Sequence, residues 1–465
     1  MTFNARYVFA ISLVAALGGL LFGYDWVVIG GAKPFYETYF DLNTGQQVGW
    51  ANSCALVGCL LGSMAAGRAS DRFGRKRLLI AAAALFAVSS VLTGWAHTFL
   101  EFVGWRIAGG VAIGIASNVS PVYIAEVSPA AWRGRLVALN QLTIVAGILA
   151  AQLVNWWIAR PVPADATAEM IRLSWNGQFG WRWMFTAVAV PSMVFLAGAF
   201  AVPESPRWLL AHGSLERARR TLARIGGESY ADREFQEIQQ TVGELPAAGW
   251  GELLNARLRR LLGVGILLAV LQQWSGINVI FNYAEEIYRA AGYGVSEILF
   301  NIVITGAINL VFTLVALGLV DRLGRRALML AGCAGIAISH FLIGAAYASG
   351  VKGLPVLILT LATIACYAMS LAPVTWVLIS EIFPNRIRGA AVSVAVSALW
   401  VACFVLTFTF PELNAALGPQ GTFWLYSGIC AAGLVFVWRR VPETKGKTLE
   451  QIEREYAGRE PVRAL

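Results

Sequence analysis

Gly67-Arg-Ala-Ser-Asp71-Arg72-Phe-Gly74-Arg75-Lys76 joins two long apolar runs, and its pattern returns 250 residues on as Asp321-Arg322-Leu-Gly324-Arg325-Arg326. A second pair keeps the same order: Glu126-x-x-Pro129-x-x-x-Arg133-Gly134 and, 255 residues on, Glu381-x-x-Pro384-x-x-x-Arg388-Gly389. Two charged motifs that recur in order and orientation at the ends of hydrophobic segments mark a membrane protein built from two parallel halves. Such halves enclose a substrate path.

Composition agrees. Hydrophobic residues make up 57% of the 465 and charged ones 14%, against about 25% charged in soluble domains. Most of the chain must therefore face lipid or a lipid-shielded core, and a string of soluble domains is excluded. The net charge of +9 sits in particular loops, as membrane topology requires, and does not imply nucleic acid. Cys54, Cys59, Cys333, Cys366, Cys403 and Cys430 all lie inside apolar runs without metal-type spacing, so they read as small core residues rather than disulfides or zinc ligands. His97, His212 and His340 are isolated and suggest neither a metal site nor a proton relay. No nucleophile–base constellation or nucleotide loop appears, so the chain reads as no enzyme.

Segments of about 20 apolar residues span a bilayer as helices. Twelve are expected, at approximately 7–31, 48–67, 78–97, 100–124, 136–158, 182–202, 260–283, 296–319, 327–349, 354–380, 389–411 and 421–440. The first is no cleavable signal, being long and holding Asp25. Arg68, Arg72, Arg75, Lys76, Arg77, Arg133, Arg135, Arg322, Arg325, Arg326, Arg386, Arg388 and the basic residues from Arg439 to Lys447 fall on one side. The other side holds few, such as Lys33, Arg160, Arg172, Arg289 and Lys352. The positive-inside rule then makes both termini cytoplasmic. The expected division is a six-helix bundle at 1–202, a linker at 203–259, a second bundle at 260–440 and a tail at 441–465. In the linker, 204–226 and 231–243 read as short amphipathic helices separated at Gly226-Gly227.

Asp25 and Arg106 pair on depth. If helix 1 ends near Gly31 and helix 4 begins near Leu100, each residue lies about 9 Å from the outer edge at 1.5 Å per residue. Intramembrane charges are functional candidates by default. Two readings stand: a fixed ion pair that sets helix packing, and a proton switch. Burial raises a carboxyl's pKa and a neighbouring guanidinium lowers it, so a rearrangement that alters either loads or releases a proton. Amides that donate and accept suit a polyhydroxylated ligand, and they are costly against lipid. Gln141, Gln272, Gln273, Asn278 and Asn309 are such amides, and Ser275-Gly276 would let helix 7 unwind beside three of them. Interhelical hydrogen bonding is the plainer role for any one of them.

The whole chain resembles the sugar porter family of the major facilitator superfamily. The resemblance rests on the Asp71 and Asp321 motifs, Pro203-Glu-Ser-Pro-Arg-Trp208, Gln272-Gln273-Trp-Ser-Gly276-Ile-Asn278 and Pro442-Glu-Thr-Lys-Gly446 in this order. It implies an all-α membrane protein of twelve transmembrane helices in two pseudo-symmetric bundles, with alternating access around a central sugar site. Asp25 in Gly23-Tyr-Asp25 and Arg106 in Trp105-Arg106-Ile-Ala-Gly109 match the pair of the proton-symporting members, whereas passive members resemble an asparagine at the aspartate. Phe22, Gln141, Gln272, Gln273, Asn278, Asn309 and Trp376 match sugar-contacting positions, and Tyr283 with Asn282 matches an outer gate of two tyrosines. Ile148 and Leu399 replace polar residues of pentose-transporting members, and Leu371-Ala372 replaces a Trp-Gly before Pro373. Asp71, Arg72, Arg75, Glu126, Arg133 and Glu204, with Asp321, Arg322, Arg325, Glu381, Arg388 and Glu443, match a cytoplasmic latch; solvated anchoring is the alternative.

The expected function is proton-coupled monosaccharide symport across the plasma (bacterial inner) membrane, by a monomer with no cofactor beyond the coupling proton and no nucleic-acid partner. Hexoses are expected ahead of pentoses. A passive sugar uniporter, a polyol or cyclitol symporter and a non-transporting sugar sensor are the alternatives.

Overall fold

The computed structural model describes residues 3–163, 166–242, 256–383 and 388–445, which form helices and no strand. Eleven of these helices are long and apolar enough to cross a membrane. The last, Ala390–Arg440, has 51 residues, about 75 Å at 1.5 Å per residue, and a hydrocarbon core is only about 30 Å thick. Gly418 interrupts it with φ 68° and ψ 171°. That segment is therefore two spans joined at Gly418, which makes twelve among the described residues. By internal contacts the chain forms two units, Met1–Leu245 with Gly294–Gly306, and Pro246–Tyr293 with Ala307–Leu465.

The first unit runs α1 (Ala5–Phe40), α2 (Gly45–Phe73), α3 (Arg75–Gly94), α4 (Phe99–Val127), α5 (Arg133–Ile158), α6 (Ala168–Leu173), a π turn (Asn176–Gly180), α7 (Trp181–Thr186) and α8 (Ala189–Ala201). Glycines let its helices touch backbone to backbone. A Cβ on Gly23 would lie 1.8 Å from Ile144 O, and one on Gly110 would lie 1.9 Å from Ala55 O. These approaches lock α1 on α5 and α2 on α4, as small residues do where no hydrophobic force separates helix from lipid. α1 does not stop near Gly31. Phe35 and Tyr36 are buried and Lys33 pairs with Glu37 one turn on at 3.0 Å, which keeps the helix wound through Pro34 to Phe40.

The stretch after α8 holds α9 (Pro206–Ala211), α10 (Leu215–Gly226) and α11 (Glu228–Val242). The single helix expected over 204–226 is two, because Gly213 takes φ 72° between them. Leu209, Leu210 and Ala218 form a small core there, covered by Trp208, Phe235 and Ile238. Pro246 lies outside the described residues, as do Pro384, Arg386 and the tail from Gly446 onward.

The second unit runs α12 (Ala256–Trp274), α13 (Ile277–Asn282), α14 (Ala284–Ala290), the part of α15 (Val295–Leu323) from Ala307, α16 (Arg325–Ala348), α17 (Leu354–Met369), α18 (Leu371–Glu381) and α19 (Arg388–Arg440). Two spans are discontinuous. α12 and α13 part at Ser275-Gly276, where Gly276 is left-handed with φ 85°, and α17 and α18 part at Ser370. All six cysteines are free thiols.

Candidate functional site

In the first unit α1 and α4 bring Asp25 and Arg106 together. Arg106 Nη1 donates to both carboxylate oxygens, at 2.9 and 2.8 Å. The residues are 5% and 3% exposed. One nitrogen serves both oxygens, and buried Arg106 Nε has no partner. The pair thus forgoes the two-nitrogen fork that makes Arg–carboxylate contacts strong. The desolvation of two buried charges is correspondingly less offset. Phe185, which sequence reasoning did not single out, lies under the guanidinium at 5.5 Å. In the same unit, Phe22 meets Trp26 edge to face at 6.1 Å on α1, and Gln141 is half-buried on α5.

In the second unit the break after α12 gathers three of the expected amides. Asn278 Nδ2 donates to Gln273 Oε1 across the break and also meets Cys403 Sγ at 3.3 Å. Gln273 Nε2 donates to Gln272 Oε1 at 3.1 Å. Gln272 Nε2 reaches Leu371 O and Ala372 O at 3.5 and 3.4 Å, at the start of α18. The network is buried, with Gln272, Gln273 and Asn278 at 3%, 8% and 7% exposure. It ends on backbone carbonyls because α17 and α18 part there. Asn309 is buried on α15, and Trp376 on α18 is exposed, at 36%. Tyr283 O–H donates to Thr407 O at 2.6 Å and its ring lies 4.4 Å from that of Phe410. Asn282 is buried with Oδ1 unpartnered. Ile148 and Leu399 are buried too.

The repeated charge motifs make two clusters, each within its own unit. Arg75 holds Glu126 through Nε and Nη2 at 3.0 and 3.1 Å and Asp71 through Nη1 at 3.0 Å. Glu204 pairs with no arginine side chain there. Its carboxylate accepts from the backbone N–H of Arg75, Lys76 and Ser205 at 2.9, 3.1 and 2.8 Å, capping α3. Arg133 Nε donates to Ala125 O at 3.1 Å, and Arg72 lies over the Phe73 ring.

In the second cluster Glu443 caps α16 alike, accepting from the N–H of Arg325, Arg326 and Lys445 at 3.0 Å each. Burial raises the Glu443 carboxyl, but the amides of Lys445, Arg325, Arg326 and Thr444 outweigh it and hold the group below its ordinary value. Arg325 Nη2 meets Glu381 at 3.4 Å. Thr444 O–H donates to the same carboxylate at 2.6 Å, and Lys445 Nζ donates to Arg322 O at 2.6 Å. The motif Pro442-Glu-Thr-Lys was the signal for those two residues. The side chains of Asp321 and Arg388 lie outside those described.

Residues 11–456 match a family model described as sugar (and other) transporter. The D-xylose-proton symporter of Escherichia coli (strain K12) is 39% identical, over 97% of this chain and 96% of its own length. The glucose transport protein of Synechocystis sp. is 41% identical, over 97% of this chain and 98% of its own. A solved structure of the proton:xylose symporter XylE bound to 6-bromo-6-deoxy-D-glucose matches with a TM-score of 0.79 at 37% identity, covering 97% of this chain and 100% of that one.

Proposed function

The chain belongs to the sugar transporter family, and from that premise we propose that it is a proton-coupled monosaccharide symporter working by alternating access. The observation that carries the coupling is the buried Asp25 carboxylate held by a single nitrogen of Arg106. Protonation of Asp25 removes the charge that Nη1 binds, frees the guanidinium and lets α1 shift against α4. Release of the proton restores the pair. The named relatives support the reading, one a D-xylose-proton symporter and one a glucose transport protein.

Gln272, Gln273 and Asn278 bind the sugar. They already bond one another and the Leu371 and Ala372 carbonyls, and a sugar hydroxyl, which both donates and accepts, can insert between two amides and serve each. Trp376 offers an apolar face to the C–H side of the ring. Family resemblance adds Phe22, Gln141 and Asn309 as further contacts, and Tyr283 with Asn282 as the outer gate. Ile148 and Leu399 offer no polar atom, which favours a hexose over a pentose. The two capped charge clusters act as the cytoplasmic latch. The assignment is completed by a monomer in the bacterial inner membrane with both termini cytoplasmic. Its bundles span 1–202 and 260–440, with a linker at 203–259 and a tail at 441–465.

Reconstituted vesicles offered labelled glucose, galactose, fructose and xylose, with and without an imposed pH gradient, test this. Uphill accumulation that needs the gradient is the expected result. Equilibration without accumulation would make the protein a uniporter, and uptake of none of these sugars would sink the reading.

A further inference from the structure

The break in the seventh span frees backbone carbonyls from their helical donors, that of Ser275 among them. Ser275 N closes the last turn of α12 on Leu271 O at 2.9 Å, after which Gly276 turns left-handed. Val279 N, which in an unbroken helix would serve Ser275 O, bonds Gly276 O instead at 3.2 Å, as does Ile280 N at 3.3 Å. Ser275 is fully buried, so its carbonyl requires a side-chain donor. His340 on α16 supplies it, with Nε2 2.8 Å from Ser275 O, and Cys430 Sγ approaches at 3.8 Å.

A carbonyl only accepts, so Nε2 carries a hydrogen. Nδ1 is buried without a partner. The imidazole is itself fully buried beside the rings of Phe423 and Tyr426, at 5.4 and 6.0 Å. A leucine would fill that aromatic pocket without burying an unpartnered nitrogen. What the imidazole adds is the bond to Ser275. The break is otherwise tight, because a Cβ on Gly276 would stand 3.0 Å from Tyr426 and 3.1 Å from His340 Nε2.

We propose that His340 is a positioning residue for sugar recognition, clasping the Ser275 carbonyl so that α13 leaves α12 in one direction. That direction places Asn278 against Gln273 across the break. His340 does not itself contact the sugar. The inference rests on the sugar-binding reading of the amide network.

The test compares His340→Leu and His340→Met, which fill the pocket without a donor, with His340→Gln, which keeps an N–H near the Nε2 position. Amide hydrogen exchange over 276–282 reads the clasp with no sugar present. Glucose KM and Vmax in vesicles and the melting temperature are measured alongside. Leu or Met should speed exchange in 276–282 about tenfold and raise KM about tenfold with Vmax within about twofold, as expected for losing one hydrogen bond to a buried group. Gln should recover most of both. Unchanged exchange in the Leu and Met variants overturns the clasp. Faster exchange with unchanged KM, or equal weakening by Gln and Leu, overturns the positioning role. If the wild-type protein takes up no sugar, the reading of the site fails while exchange still judges the clasp.

Discussion

Asp25→Asn separates coupling from transport. Arg106 Nη1 donates to both Asp25 oxygens, at 2.9 and 2.8 Å. An asparagine keeps one acceptor oxygen there and turns an amide donor toward the other position. The variant thus loses one of two bonds and the counter-charge of a guanidinium that is 3% exposed. Removing one partner of a buried ion pair altogether costs about 3–5 kcal/mol. The retained acceptor keeps the loss below that, so the protein should fold with a lowered melting temperature. The effect on coupling is larger. A driving force of 100 mV is worth about 2.3 kcal/mol per proton, or about 50-fold accumulation at one proton per sugar. The neutral amide mimics the protonated carboxyl permanently, so accumulation should fall to about onefold while counterflow exchange of labelled sugar stays within a few-fold of wild type. The assay is vesicle uptake under an imposed pH gradient beside counterflow without one. Undiminished accumulation would refute the proton role. Loss of accumulation and exchange together, in a folded protein, would return the pair to helix packing.

Gln273→Ala removes the middle of the amide network, and the loss of one bond to a buried neutral group, about 1–3 kcal/mol, should weaken sugar binding about 5- to 150-fold in competition against a labelled hexose. A disaccharide should not compete with either protein. Arg133→Ala with Arg388→Ala should shift the population toward inward-open states with sugar binding largely intact. Cysteine labelling from the two sides reads this, and unchanged labelling would leave these charges as topology markers. The Glu443 carboxyl is held below its ordinary value by backbone amides. Its cap on α16 should therefore contribute fully above the unfolded glutamate value of about 4.3 and be lost as pH falls through the lower folded value. Exchange protection of the Arg325 and Arg326 amides, each taken by a different carboxylate oxygen, should fall at acid pH in the wild type; Glu443→Gln, which keeps one of the two acceptors, should lower it partly and without that pH dependence.

The repeated Asp-Arg and Glu-Arg motifs mark two halves, because charges at helix ends are what a bilayer forces into view, and the apolar runs of about 20 residues mark the spans. What the chain does beyond a hydrophobic run was harder to read. The depth match of Asp25 and Arg106 took Gly31 as the end of helix 1, yet the helix continues to Phe40 through the Lys33–Glu37 contact; the two side chains meet although that reference point was wrong. Backbone partners were less legible still. Sequence marks Glu204 and Glu443 as charges and so pairs them with arginines, whereas both accept from helix N-terminal amides that follow Gly74 and Gly324, whose φ values are 96° and 92°. The first N–H groups of a helix have no intrahelical acceptor, and the helix dipole favours a carboxylate there. A capped glutamate and a salt-bridged glutamate look alike in sequence, but they answer differently to substitution. Glutamine keeps an acceptor for a cap while surrendering the charge that an arginine needs. Glu126→Gln should therefore loosen its cluster more than Glu204→Gln, since Glu126 is bound by Arg75 through two nitrogens and Glu204 by backbone amides.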